Sequence, residues 1–497
     1  MITIFLILLQ LFVLCNTFFQ LQNQSSVLVV LSYFLSIVCT VYIINANIKE
    51  EFKIAWIIPI CIFPVFGVLM YLFVLVNPGS IALRRALLKK AEGIIPYIEG
   101  NKSRTDWIAS ENEHIGPLVH YLYYTCGYPA YTGTDVTYFP IGEAFFDDVV
   151  ENLKKAKHFI FMEFFIVNEG IMWDSILQIL ADKVKEGVEV RFMFDGTCAV
   201  TTVPYNYDKQ LCSLGIRAKM FSPIVPLIST HQNNRDHRKI LVIDGKMAYT
   251  GGVNLADEYI NAYEKYGHWK DIAIRMDGSA VSSFTAMFLN LWNISEAGED
   301  NYDAYLNVPV VSTSAEGYVV PYGDDAMNHE DVAENVYLDI LNRANRYVYI
   351  MTPYFIVDSN MVSAIQYAAK RGIDVRIILP HIPDKKIPFM IARTYYPVLL
   401  EAGVKLYEYT PGFVHAKLFV SDDKKACIGS VNLDYRSLYH HFECGAFIYD
   451  SDAISDMYRD FLDTQDKCIE VTPEYYKKLN IFTKLFGRIA RVVAPLL

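Results

Sequence analysis

The chain has no Cys-x-x-Cys pair, no net positive charge and no basic residue ahead of its first apolar run. Each absence removes a class of function. The nine cysteines are scattered, and Cys15, Cys39 and Cys61 lie in apolar runs, so neither a disulfide framework nor a zinc site is expected. A reducing compartment fits that usage. The formal net charge of −11 makes bulk attraction to nucleic acid a poor expectation, although it leaves room for local basic sites. The first apolar run also lacks an A-x-A-like cleavage site, which favours a retained helix over a cleaved signal peptide.

What the chain has in surplus is apolar length. Hydrophobic residues make up 53% of it, high for a purely soluble enzyme, and the excess sits before residue 80. Three stretches, residues 1–19, 26–44 and 54–76, each approach the ~20 residues that a helix needs to cross the hydrocarbon core. Pro59 and Pro64 in the third are compatible with a span, because neighbouring helices can satisfy the freed backbone groups. Arg84, Arg85, Lys89 and Lys90 follow the third stretch, whereas residues 20–25 carry no charge. Lys49 and Lys53 are offset by Glu50 and Glu51, so the bias is modest. It predicts a multi-pass protein of the cell membrane whose remaining chain is cytoplasmic. Near the C-terminus, Lys477, Lys478, Lys484, Arg488 and Arg491 interleave with Leu, Ile, Phe and Val, as in a basic amphipathic helix on a membrane surface. Packing of that helix against the protein explains the same pattern.

Beyond residue 100 the pattern becomes α/β, and it occurs twice. "AKHFIFMEFFIV" at 156–167 precedes a helical stretch and then "EGVEVRFMFDG"; "ANRYVYIMTPYFIV" at 344–357 precedes a helical stretch and then "RGIDVRIILP". The polar, turn-rich "GEDNYDAYLNVP" joins the two halves. The repeat sharpens downstream. His237, Lys239, Asp244, Gly251 and Asn254 match His415, Lys417, Asp422, Gly429 and Asn432 at identical offsets, a coincidence with a chance probability on the order of 1 in 10⁴. Apolar residues between each Lys and Asp put the motif on a strand, so His and Lys, two apart, project from one face. A lone His-Lys pair on a strand reads as solvent-facing structure; duplication with a trailing Gly-x-x-Asn reads as a catalytic site.

These residues resemble the phospholipase D superfamily, whose HxKxxxxD pair assembles one active site from two halves. The stretches "NNRDHRKILVIDGKMAYTGGVNLADEY" and "GFVHAKLFVSDDKKACIGSVNLDYRSLYHHFECGAFIYD" are similar to the catalytic stretches of its bacterial cardiolipin synthases. The third apolar run and the ending "APLL" resemble that family too, although two spans are its more familiar arrangement. The resemblance implies an α/β fold: two phospholipase D-like repeats around one shared site, preceded by transmembrane helices. The expected division is a membrane region at 1–80, a linker at 81–110, repeats at 111–300 and 310–472, and the amphipathic segment at 473–497. It also implies reversible phosphatidyl transfer between two phosphatidylglycerols, giving cardiolipin and glycerol. Phosphatidylglycerol, cardiolipin and the bilayer are then the partners, and nucleic acid is not.

Phosphodiester exchange must neutralise an anionic phosphoryl group, attack phosphorus and protonate a basic leaving group. Two His, two Lys and two Asn supply all three functions with no metal or cofactor. Lys239, Lys417, Asn254 and Asn432 are expected to clamp the non-bridging oxygens. Symmetry leaves open which imidazole attacks; the resemblance makes His237 the nucleophile and His415 the acid/base. It also makes Glu443 and Asp271 the carboxylates that orient the imidazoles. Asp244 and Asp422 complete the motif, but an Asp at a strand end commonly makes the turn, and that structural reading is preferred for both. His440 and His441, Asp195, His231 and Arg235 are further candidates for contact with substrate. The motif alone fits nucleases and lipid transferases; the apolar spans favour lipid. A transferase using another alcohol, a hydrolytic phospholipase D, a membrane-tethered nuclease and a non-catalytic scaffold remain alternatives.

Overall fold

The computed structural model describes residues 26–496 except 76–77, 100–101, 225–232, 297, 299, 310–312 and 328–329, together with residues 16 and 20. The expected first span therefore lies almost wholly outside the described residues, and so does His231.

Two sheets carry the repeat. In spatial order the first runs Arg217–Phe221, Glu189–Asp195, Phe159–Phe164, Lys239–Ile243, Met247–Gly251, Ala273–Gly278, Thr134–Phe139. The second follows the same order with Lys405–Tyr409, Asp374–Pro380, Tyr347–Met351, Leu418–Ser421, Lys425–Gly429, Glu443–Tyr449, Tyr318–Asp324, and adds Cys468–Val471 at one edge. Within each, Phe159–Phe164 and Tyr347–Met351 pair parallel with the next strand of their α/β unit and antiparallel with the motif strand. Helices Ile171–Lys185 and Ser359–Lys370 make the crossovers.

The apolar runs are continuous because each sheet is covered on both faces. Ile240 and Val242 face a core that also holds Met351, Leu418 and Val420 from the other half. Leu241 and Ile243 face the helices outside the first sheet. Alternation along one strand thus joins two cores, and the two sheets pack against each other. Helix Val281–Trp292 sits in the shared core, buried nearly all round.

The N-terminal region differs from a row of straight spans. Residues 26–44 lie in helix Ser26–Asn45. Residues 54–75 of the third stretch fall in two helices, Glu50–Ile62 and Pro64–Leu75, separated at Phe63. Pro64 disfavours helical geometry at the residue before it, and Phe63 adopts φ −127° and ψ 75°. The helices fold back at Gly67, where an added Cβ would lie 2.5 Å from Ile60 Cα. Pro64–Ile98 is the one stretch among the described residues long and apolar enough to cross a bilayer. Lys49 fastens this region to the second half, lying 3.3 Å from Asp331 and 3.0 Å from Asp358 and pairing also with Glu334.

Asp244 and Asp422 close the motif strands at the end away from the His and Lys. Asp244 accepts the N–H groups of Lys157, His158 and Phe159 at 2.7–2.9 Å. Asp422 accepts those of Asn345, Arg346 and Tyr347 at 2.8–3.0 Å. Both adopt a left-handed backbone, φ 53° and 57°, which Asp tolerates better than most residues. They therefore tie the start of one strand to the end of its neighbour and touch no motif imidazole. Asp244→Ala and Asp422→Ala should each lower stability by about 1–3 kcal/mol, seen as a lower unfolding temperature of the solubilised protein. An unchanged unfolding temperature with lost turnover would contradict this reading.

Candidate active site

The two His-Lys elements approach each other at the interface between the sheets, through short pieces of strand that exchange partners. His268–Lys270 of the first half pairs in parallel with Gly412–Val414 of the second, and Asp236 bridges Phe442 in the same sense. The His237 N–H donates to Phe442 O at 2.9 Å, and the His415 N–H donates to Lys270 O at 2.7 Å. In each case the next residue of the accepting segment is a carboxylate, Glu443 or Asp271.

The carboxylates and imidazoles consequently pair across the halves. His237 Nδ1 lies 2.8 and 3.0 Å from the Glu443 oxygens, and His415 Nδ1 lies 2.7 Å from Asp271 Oδ2. Each contact fixes Nδ1 and leaves Nε2 free to react. Neither half holds a complete pair. Ser430 donates to Glu443, and the Ile272 N–H donates to Asp271 at 2.9 Å. Phe165 and His441 flank the His237 ring, with centroids 4.8 and 5.6 Å away. Tyr259, Trp269 and Phe413 enclose His415 at 5.4–6.0 Å.

Lys239 and Lys417 are buried beside these rings. Lys239 Nζ donates to His237 O at 2.5 Å, and Lys417 Nζ lies 2.9 Å from His415 Nδ1 while donating to His415 O. Burial pushes Lys239 down to about 8 and Lys417 down to about 7. Burial and then the Lys239 and Lys417 charges hold His237 well below the usual imidazole range. His415 is pushed down to about 4 by burial and Lys417, against the pull of Asp271.

The two carboxylates are not equivalent. Burial pushes Glu443 up to about 7 despite Lys239. Asp271 is equally buried, yet His415, Lys417 and the Ile272 N–H hold it below the usual carboxylate range. At neutral pH the first half contributes an ionised carboxylate, and the second contributes one that is partly protonated.

The remaining candidates divide. Asn254 Oδ1 accepts the Ile166 N–H at 3.0 Å and its amide donates to Tyr259 Oη at 2.8 Å, whereas Asn432 Oδ1 is buried without a hydrogen-bond partner among the described residues. The expected symmetry of the two asparagines is therefore incomplete. Asp195 lies behind the site, accepting the Asp236 N–H at 3.1 Å and standing 3.7 Å from Arg235, so it supports the segment that leads into His237. His441 is buried with neither ring nitrogen bonded among the described residues. Donor atoms of His237, His441 and Glu443 lie within 4.8 Å of one another, a spacing that suits a metal ion, but both Glu443 oxygens are already engaged by His237. His441 has no partner in the repeat, so sequence comparison of the halves carries little signal for it.

The comparisons with known proteins follow this geometry. A family model described as "Cardiolipin synthase, PLD-like domain" matches residues 149–292 and 337–464, and one described as phospholipase D-nuclease N-terminal matches 34–74. An uncharacterized protein of Streptococcus mutans is 48% identical over 92% of this chain and 99% of its own length. The cardiolipin synthase of Geobacillus sp. strain WCH70 is 32% identical over 93% of this chain and 92% of its own. The crystal structure of a phosphatidylserine synthase from Haemophilus influenzae shares the fold, with a TM-score of 0.56 and 17% identity over 73% of this chain and 95% of that one. The matched regions enclose both His-Lys elements and the relatives align along almost the whole chain, so the protein belongs to the cardiolipin synthase family of phospholipase D-like proteins.

Proposed function

We propose that the protein transfers the phosphatidyl group of one phosphatidylglycerol to the terminal hydroxyl of another, giving cardiolipin and glycerol. The observation that carries this reading is the pair of buried imidazoles, each held by the other half's carboxylate beside a buried lysine. The relatives named as cardiolipin synthases point to the lipid. Nε2 of His237 attacks phosphorus, the bond from phosphorus to the glycerol oxygen breaks, and His415 donates a proton to that oxygen. The second phosphatidylglycerol then returns a proton to His415 as its hydroxyl attacks phosphorus and frees His237. Lys239 and Lys417 neutralise the non-bridging oxygens throughout. One phosphodiester and one alcohol become another such pair, so no nucleotide is needed.

The inequality of the carboxylates supports this order. Ionised Asp271 stabilises an imidazolium at His415, as an acid requires. A partly neutral Glu443 leaves His237 uncharged, as a nucleophile requires. The bound phosphodiester adds the negative charge that moves His415 upward from about 4.

Features near both ends of the described chain support a membrane placement. Helix Ile481–Val493 packs through Gly487 and Ala490, while Ile481, Phe482, Leu485, Phe486, Ile489, Val492 and Val493 are exposed along one side. That unpartnered apolar stripe with flanking cations suits the surface of an anionic bilayer. With the N-terminal helices it supports a multi-pass membrane protein, and the basic residues at 84–90 favour a cytoplasmic catalytic region.

Purified protein given phosphatidylglycerol alone should release glycerol and form cardiolipin, followed by lipid chromatography; phosphatidic acid as sole product would identify a hydrolase. His237→Ala and His415→Ala should each lower turnover by at least about 10³-fold and the double variant by little more, because the two act as a unit. Near-normal transfer by either single variant would contradict the paired site. Lysines at about 7 and 8 are cationic below those values and discharge as pH rises through them. kcat/KM for a short-chain phosphatidylglycerol should therefore decline from about pH 6.5 to about pH 9, and a flat profile would contradict a clamp made of these lysines.

A further inference from the structure

A cavity of about 380 Å³ adjoins the active site on the second half, within the size range of small-ligand pockets. It holds neither motif imidazole. Its link to the site is Asp434, two residues after Asn432, on the short strand Leu433–Asp434 that pairs with Phe355–Ile356. Apolar walls come from Ile356, Ile387, Pro388 and Ile391, and the cations Lys385 and Arg436 stand among the lining residues.

Both cations are exposed side chains at its mouth. Lys385 Nζ lies 5.6 Å from the Tyr354 ring, and no ion pair to it is formed among the described residues. Two nearby carboxylates each accept hydrogen bonds, although Asp384 Oδ1 has no partner among the described residues. Asp384 accepts the Tyr354 hydroxyl at 2.5 Å, and Asp434 accepts the N–H groups of Arg436 and Ser437 at 2.9 and 3.0 Å. Burial also raises the Asp434 carboxyl from its ordinary value, against the pull of Lys385 and Arg436.

The cavity stands where the membrane-directed ends of the chain meet the catalytic fold. Phe52, beside Lys49 in the N-terminal region, packs edge-on against Tyr435 of the cavity wall at 5.7 Å. Ala494, at the end of the exposed amphipathic helix, also lines the cavity. Gly487 of that helix fits against Met390 O, on the helix that supplies Ile387 and Ile391. A lipid whose headgroup enters here thus has exposed apolar surface beside it.

The reaction creates a demand that Lys239 and Lys417 do not meet. They are matched to the phosphate under attack, while the acceptor brings a second phosphodiester anion, three carbons from its attacking hydroxyl. We propose that this cavity is the acceptor-lipid subsite, binding the acceptor's own phosphate through Lys385 at its mouth with Arg436 as a second cation. The proposal rests on the phosphatidyl-transfer reading above. It makes the two lipids distinguishable: a soluble alcohol can replace the acceptor without using Lys385.

The test measures two reactions of the full-length protein in the same phosphatidylglycerol vesicles. One is exchange of labelled glycerol into phosphatidylglycerol, which needs the donor site alone; the other is cardiolipin formation. In Lys385→Ala and Lys385→Glu the ratio of cardiolipin formation to glycerol exchange should fall by about tenfold or more, the effect of losing one charge-assisted contact. Lys386→Ala, which removes a neighbouring exposed charge outside the cavity, should leave the ratio unchanged. Equal losses of both reactions in the Lys385 variants, an unchanged ratio, or the same fall in the ratio for Lys386→Ala would overturn the subsite. Wild-type protein that performs neither reaction would instead overturn the phosphatidyl-transfer reading, and the subsite with it.

Discussion

Each motif imidazole is held by a carboxylate from the other half of the chain, and the proposed chemistry depends on that exchange. His237 leans on Glu443 and His415 on Asp271, and in each case a main-chain hydrogen bond at the adjoining residue sets the register. Separated halves would contain an imidazole without its carboxylate and a buried carboxylate without its imidazole. The core shared by the sheets, to which Val242 and Val420 both belong, joins the halves that supply the two partners of each pair. A structure built this way has reason to resist opening between its halves, since opening would strand buried charge.

Burying two lysines and two histidines together is costly, and the cost is visible in their protonation. Lys417 at about 7 and Lys239 at about 8 are cations only weakly retained in the free site. In the proposed mechanism a phosphodiester entering between them would restore the missing countercharge, so binding energy and catalysis would share one source. The aromatic enclosure of His415 by Tyr259, Trp269 and Phe413 would limit water near the oxygen it is proposed to protonate. That suits transfer to a second lipid, which the membrane confines at high local concentration, over hydrolysis.

The sequence disclosed the repeat and its strands because both depend on local pattern. Ile240–Ile243 and Leu418–Val420 are apolar runs bounded by polar motif residues, and identical offsets mark them as copies. Pairing across the halves was not legible that way. Glu443 follows His415 in the same half, and nothing in their spacing says that it serves His237; the short parallel contacts between halves decide it. The inequality of Asn254 and Asn432 was hidden for a similar reason, since the Ile166 N–H that occupies only one of them belongs to a distant loop. The division at Phe63 hinges on Pro64 and on the close approach at Gly67, whereas hydropathy over 54–76 reads as one run.

The central claim is that His237 carries the phosphatidyl group while His415 manages the proton. Rapid mixing with phosphatidylglycerol labelled at phosphorus, an alkaline quench and peptide mapping would locate the covalent intermediate. The account predicts label on the peptide containing His237 that passes into cardiolipin when unlabelled lipid is added. Label on the His415 peptide, or cardiolipin formed with no labelled histidine at any time, would contradict it.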